Sequence, residues 1–116
     1  MRQALSRLAL SLSLALIACA SGFYTRHTPS GVACVDMPVI PAGTRIERAY
    51  HRLHPVRSEP RQETEAQRLE SLRKAACEAG ADAVIEAVNE DSMTDGGAIV
   101  ISSGTAVIWT APAPAK

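Results

Sequence analysis

The stretch Arg73-Lys-Ala-Ala-Cys-Glu-Ala-Gly-Ala-Asp-Ala-Val-Ile85 decides the fold, because the periodicity of the chain changes inside it, at Gly80. Upstream, Ala66, Leu69, Leu72, Ala76 and Ala79 fall on one helical face, while Glu70 and Lys74 form an i,i+4 ion pair on the other. Pro60 lies near the start of this run and Gly80 just past its end, the usual placement of the two residues around a helix. The spacing predicts an amphipathic helix over 62–79, with an alanine-rich stripe that lets a neighbouring layer approach closely. Downstream the period becomes two: Ala83, Ile85 and Ala87 face one way, and Val84, Glu86 and Val88 the other, as in a strand. A helix with one apolar stripe that passes directly into a strand needs a sheet to lie on.

Working outward, Asp91 to Gly97 reads as an acidic, glycine-terminated loop, followed by strand residues Ala98 to Ile101, then Ser102-Ser103-Gly104, then a strand over Thr105 to Thr110. Ser103-Gly104 has two readings, a hairpin turn or a bulge in one long strand. Before the helix, Val32 to Ile40 is a weak strand candidate closed by Pro38 and Pro41, and Gly43 marks a turn. Residues Thr44 to Pro55 are ambiguous. Ile46, Ala49, Tyr50 and Leu53 have helical spacing behind a Thr44-x-x-Glu47 capping box, yet Tyr50-His51-Arg52-Leu53 before Pro55-Val56 also reads as an edge strand. The fold class these elements imply is a small two-layer α/β (α+β) sandwich, one amphipathic helix packed on a three- or four-stranded sheet, in the order strand-helix-strand-strand. Ile99, Ile101, Val107 and Trp109 alternate with Val100 and Ile108, so the last strands are apolar on both faces. One helix covers one face, and the other needs the N-terminal segment, a partner or a second subunit.

Composition narrows the function classes. With 116 residues, 47% of them hydrophobic and 21% charged, the chain accommodates one small domain and not a multidomain enzyme. Residues 1–18 hold two arginines and no acid, and without them ten basic and twelve acidic groups remain. A near-neutral domain argues against nucleic-acid binding driven by phosphate neutralisation. No Gly-x-Ser-x-Gly elbow, P-loop, His-Glu-x-x-His or dinucleotide fingerprint occurs, so the expectation is a protein that is not an enzyme and carries no cofactor. His51 and His54 are three apart, which on a regular strand sends them to opposite faces and counts against a metal site. Asp91-x-x-x-Asp95-Gly96 echoes a calcium loop, but Met93 and Ser102 stand where such a loop needs ligands.

The first twenty residues carry an address. After Met1, Arg2 and Arg7, residues Leu8 to Ala18 run apolar, interrupted only by Ser11 and Ser13. Eleven helical residues rise about 16 Å, short of a hydrocarbon core of about 30 Å, so residues 1–18 read as a signal peptide and not as a membrane span. The segment ends in Leu16-Ile17-Ala18-Cys19, which resembles the lipobox of bacterial lipoproteins. That resemblance implies lipidation of Cys19, cleavage just before it, and attachment to a membrane through acyl chains. With Ala20 and not aspartate after the cysteine, the family's sorting rule implies the outer membrane, with the domain in the periplasm. Residues 19–31 then read as a lipidated flexible tether, 32–110 as the domain, and 111–116 (Ala-Pro-Ala-Pro-Ala-Lys) as a disordered tail.

The run from Arg73 to Ile85, together with Gly104-Thr-Ala-Val-Ile108, is similar to a group of small bacterial outer-membrane lipoproteins in which a helix ends in a Gly-Ala-Asp-Ala-Val element. The layout is comparable to that of the Rcs stress-sensing lipoprotein, and small proteins described as heavy-metal-binding domains share the helix-to-strand wording. The resemblance implies a strand before the helix, which favours strand over 48–58. It implies a non-enzymatic binding, envelope-sensing or structural module, with a metal-ion or small-ligand binder as the alternative. The Rcs sensor has four cysteines in its domain; here Cys34 and Cys77 are what remains once Cys19 is lipidated, and in an oxidising periplasm one disulfide between them is the simplest outcome, two unpaired thiols or a redox pair being the others. Eight basic groups against five acids lie in 44–74, and six acids with no base in 75–115. Arg48, Arg52 and Arg57 therefore mark a candidate surface for an envelope protein or for self-association.

Overall fold

The computed structural model describes residues 22–114. The expected signal peptide, Cys19 and the last two residues of the Ala-Pro tail lie outside that range. The elements are a short helix α1 (Gly22–Thr25), a 3-10 turn (Cys34–Asp36), β1 (Val39–Pro41), β2 (Tyr50–Arg57), α2 (Glu65–Glu78), β3 (Ala83–Thr94) and β4 (Gly97–Trp109). The strands form one four-stranded sheet in the order β1-β3-β4-β2. β1 runs parallel to β3, and the other two pairings are antiparallel. This is the expected helix-on-sheet architecture, with a second strand ahead of the helix. Residues 50–57 are strand, which resolves the ambiguity around 44–55, and Pro55 is accommodated because β2 is an edge strand with no ladder on its outer side.

Helix α2 starts later than the hydrophobic period suggests. Thr64 is its N-cap: the Gln67 amide donates to Thr64 Oγ1 (3.1 Å), and the Thr64 amide donates to Gln67 Oε1 (3.1 Å). The capping box is thus Thr64-x-x-Gln67 and not Thr44-x-x-Glu47. Ala66 is consequently exposed in the first turn, and the buried stripe consists of Leu72, Ala76 and Cys77. Gly80 takes the left-handed backbone (φ +77°) that turns the chain into β3.

The core has two parts, one on each face of the sheet. Under the helix lie Cys34, Met37, Val56, Leu72, Ala76, Cys77, Ala81, Val84 and Ala106, with Phe23 and Leu53 packed at the margin. On the opposite face Ala83, Ile85 and Val107 are covered by Ile40, Ile46, Tyr50 and Trp109. The second apolar face is therefore partly covered within the chain, by Ile40 of β1, Ile46 of the segment that follows it, and the rings of Tyr50 and Trp109.

The expected loop over Asp91 to Gly97 is mostly strand. β3 continues to Thr94, the turn is Asp95-Gly96, and left-handed backbone falls on Gly97 (φ +112°). β4 runs unbroken through Ser102-Ser103-Gly104, so no hairpin turn lies there. The irregularity sits across the sheet instead: Ile85 faces Thr105 and Val88 faces Ser103, so Glu86 and Ala87 together face Gly104. Glu86 takes a positive φ of 56°, a conformation that costs a non-glycine residue about 1 kcal/mol or more. Gly104 makes room for this bulge. A methyl group there would come within 2.5 Å of Val84 Cγ1 and 2.9 Å of the Ile85 carbonyl oxygen. Gly104→Ala is expected to lower stability by about 1–3 kcal/mol, read from the midpoint of urea unfolding. An unchanged midpoint would show that the bulge relaxes freely.

Residues 22–31 are not the flexible coil expected of a tether. Tyr24 donates its hydroxyl to Glu70 Oε1 at 2.6 Å, which holds the phenol above its ordinary pKa because the bond and the carboxylate charge both favour the protonated form. His27 bridges to Ala33, and the Ser30 amide donates to Asp82 Oδ1 at 2.8 Å. The expected strand over 32–40 shrinks to 39–41, because the 3-10 turn at Cys34–Asp36 carries Cys34 inward beneath α2.

Candidate functional site

The sheet face opposite α2 collects the charged groups singled out in the sequence. In a regular strand, residues five apart point to opposite faces. Between Arg52 and His54, however, β2 carries a bulge, so Arg52 stands opposite Val107 and Arg57 opposite Ser103, both on the open face of β4. There the Arg52 guanidinium pairs with Glu86, and Arg57 Nη2 donates to Glu90 Oε1 at 2.8 Å. Each pair reaches over β4 from β2 to β3. The hydrogen bond from Arg52 holds the Glu86 carboxyl below the ordinary carboxylate range, and the same bond raises Arg52. Both pairs are half-exposed, so their net contribution to stability is small.

Arg48 lies apart from these two. Its Nε donates to the Ala111 carbonyl at 2.7 Å, and its guanidinium stacks over Trp109, 4.8 Å from the ring centroid. The three arginines read as a candidate partner surface therefore all have partners within the chain. The basic and acidic halves of the sequence interleave on this face and do not segregate into poles. Sequence reasoning missed Glu86 and Glu90 as the counterions, since only the two bulges bring these spacings into register.

The same bulge changes the geometry of the histidines. His51 stands opposite Ile108 and His54 opposite Ala106, two positions apart on β4 and so on one face, not on opposite faces as a regular strand would put them. Both are exposed, and His54 Nδ1 lies 3.0 Å from the Pro55 carbonyl. Among the described residues no three His, Cys, Asp or Glu side chains gather as a metal site.

Cys34 and Cys77 are joined by a disulfide, with Cα atoms 5.9 Å apart across 43 residues of sequence. Both are buried, and the bond ties the turn before β1 to the last turn of α2. A second buried junction went unnoticed in the sequence. Asp82, 2% exposed, accepts from the Ser30 amide through Oδ1 and from the Trp109 amide through Oδ2, each at 2.8 Å. It joins the N-terminal strap, the start of β3 and the end of β4 at one point. The aspartate in the Gly-Ala-Asp-Ala-Val element is thus a backbone clamp. A groove of about 520 Å³ runs beside α2 and mixes Arg57 and Lys74 with Glu59, Glu70 and Glu78, so no single sign of charge prevails there. No family model, no curated protein and no solved structure matches the chain.

Proposed function

We propose that the chain is a lipid-anchored protein of the outer membrane, holding a small non-enzymatic domain in the periplasm as a binding, envelope-sensing or structural module. The observation that carries this reading is the Leu16-Ile17-Ala18-Cys19 box at the end of a basic, then apolar, segment. A buried disulfide supports an oxidising compartment. Cys19 precedes Gly22, the first residue of α1, by three residues, which span at most about 11 Å. An anchored domain would ride close to the bilayer surface, and not at the end of a coil reaching about 20 Å.

The test is incorporation of a labelled fatty acid into the chain and into its Cys19→Ala variant. Label is expected in the first and lost in the second, with the labelled protein sedimenting with outer membranes on a density gradient. Equal labelling of both, or of neither, removes the reading. The alternative of a metal-ion or small-ligand binder has less in its favour: His51 and His54 share a face, but among the described residues no third His, Cys, Asp or Glu side chain joins them, and Arg52 and Arg57 are paired.

A further inference from the structure

Beyond Ser102 the hairpin of β3 and β4 leaves the rest of the sheet. β2 ends at Arg57 opposite Ser103. The Ser58 amide donates to the Ser102 carbonyl (2.8 Å), the Ser102 amide donates to Ser58 Oγ (3.0 Å), and the Glu59 amide then turns to Ser71 Oγ on α2. Since Ser102 directs its backbone groups toward β2, Ala98 and Val100 direct theirs the same way, two and four positions on. No strand of the described residues pairs with them. The edge reads Gly97-Ala98-Ile99-Val100-Ile101 and carries no charge and no proline. It therefore lacks the lysines and prolines that keep edge strands apart. Val100 is 40% exposed, and Met93 on the neighbouring strand 79%. The outer edge of β3 differs, because Glu90 and Asp91 lie in its middle and would repel an identical edge.

The geometry points to an interaction surface for a second copy of this chain: the Gly97–Ile101 edge of β4 pairs antiparallel with the same edge of another molecule about a two-fold axis through Ile99. In that register Ala98 of each copy exchanges two backbone hydrogen bonds with Val100 of the other, and Ile99 faces Ile99. The pairing stops where it must. Ser58 already holds the Ser102 amide and carbonyl, and the residue of the second copy that would come opposite Ser102 is Gly96, which lies in the Asp95-Gly96 turn and outside the strand. Two hairpins become one continuous four-stranded sheet. The occupant is a second copy because the edge is uncharged and matches itself under the two-fold, so pairing brings no like charges together.

The test uses the full chain and its Ile99→Cys variant, oxidised mildly and run on nonreducing gels, with Cys34–Cys77 verified intact by peptide mapping. Directly opposed residues on the axis lie within disulfide reach, so a reducible dimer is expected for Ile99→Cys and not for Ser92→Cys on β3. Val100→Pro removes an amide that points away from β3 and costs the hairpin no ladder bond. Added to Ile99→Cys it is expected to reduce the crosslink by roughly tenfold or more. Val100→Lys serves as the second edge-blocking variant, with circular dichroism verifying that each variant folds. Ile99→Cys remaining monomeric, being trapped on a different polypeptide, or crosslinking equally well with either blocking substitution, overturns the proposal.

Discussion

Replacing Cys34 and Cys77 together by alanine is expected to lower the free energy of unfolding by about 4 kcal/mol, the loop-closure entropy of a 43-residue separation. Domains of this size are stable by about 5–15 kcal/mol in total, so the variant should lie near the limit of folding at physiological temperature. Alanine is the right replacement because both positions are buried and serine would leave hydroxyl groups there without partners. The unreduced unfolded chain is held compact by the bond, so the slope of the urea transition should steepen when it is removed. Adding a reductant to the natural protein should reproduce the loss and should leave the double variant unchanged. A midpoint that does not move in either experiment would mean that the packing of α2 on the sheet suffices without the bridge.

Asp82→Ala should have the next largest effect, about 3 kcal/mol, because it strands two amides that one carboxylate now satisfies. Deleting a buried charge recovers some desolvation energy, but the Ser30 and Trp109 amides then have no acceptor, and that loss dominates. Hydrogen exchange separates this from general loosening. The Ser30 and Trp109 amides should exchange faster in the variant by a larger factor than Val84, whose amide is held by the Pro38 carbonyl. Uniform acceleration of all three would assign Asp82 to general stability and not to clamping. Asp82→Asn should recover only part of the loss, since its single oxygen can accept from one amide while its NH2 faces the other.

The helix was legible because one period runs through Leu69, Leu72 and Ala76, and the strands because period two sets in after Gly80. The hydrophobic period alone places its start about three residues early, since alanines carry little contrast and Ala66 fits a buried stripe as well as an exposed first turn. Thr64-x-x-Gln67 was the available signal for the true start. Asp91 to Thr94 looks like loop because polar residues dominate, yet it alternates between exposed Asp91 and Met93 and half-buried Ser92, a strand alternation that the polar side chains hide. Among the candidate site residues, the Cys34–Cys77 pairing could be anticipated once Cys19 is set aside as the lipidation site that the lipobox resemblance implies. The partners of Arg52 and Arg57 could not. They lie two strands away, and two bulges that no local pattern announces set their register. Asp82 was equally hidden, because the groups it binds are main-chain amides, which every sequence possesses.

The bridge between Cys34 and Cys77 also fixes how the molecule would bear tension. A pull on the amino terminus peels residues up to 33 and then meets a covalent bond, so the load crosses directly to residue 77. Residues 35–76, with β1, β2 and most of α2, are bypassed and feel no stretching force. What remains in the line of strain is the stretch from 78 onward, beginning with the part of the Asp82 clamp that the peeling leaves, its bond from the Trp109 amide. Under such a pull the Ser30 bond to Asp82 gives way with the strap and the Trp109 bond bears the load next, while residues 35–76 keep their shape.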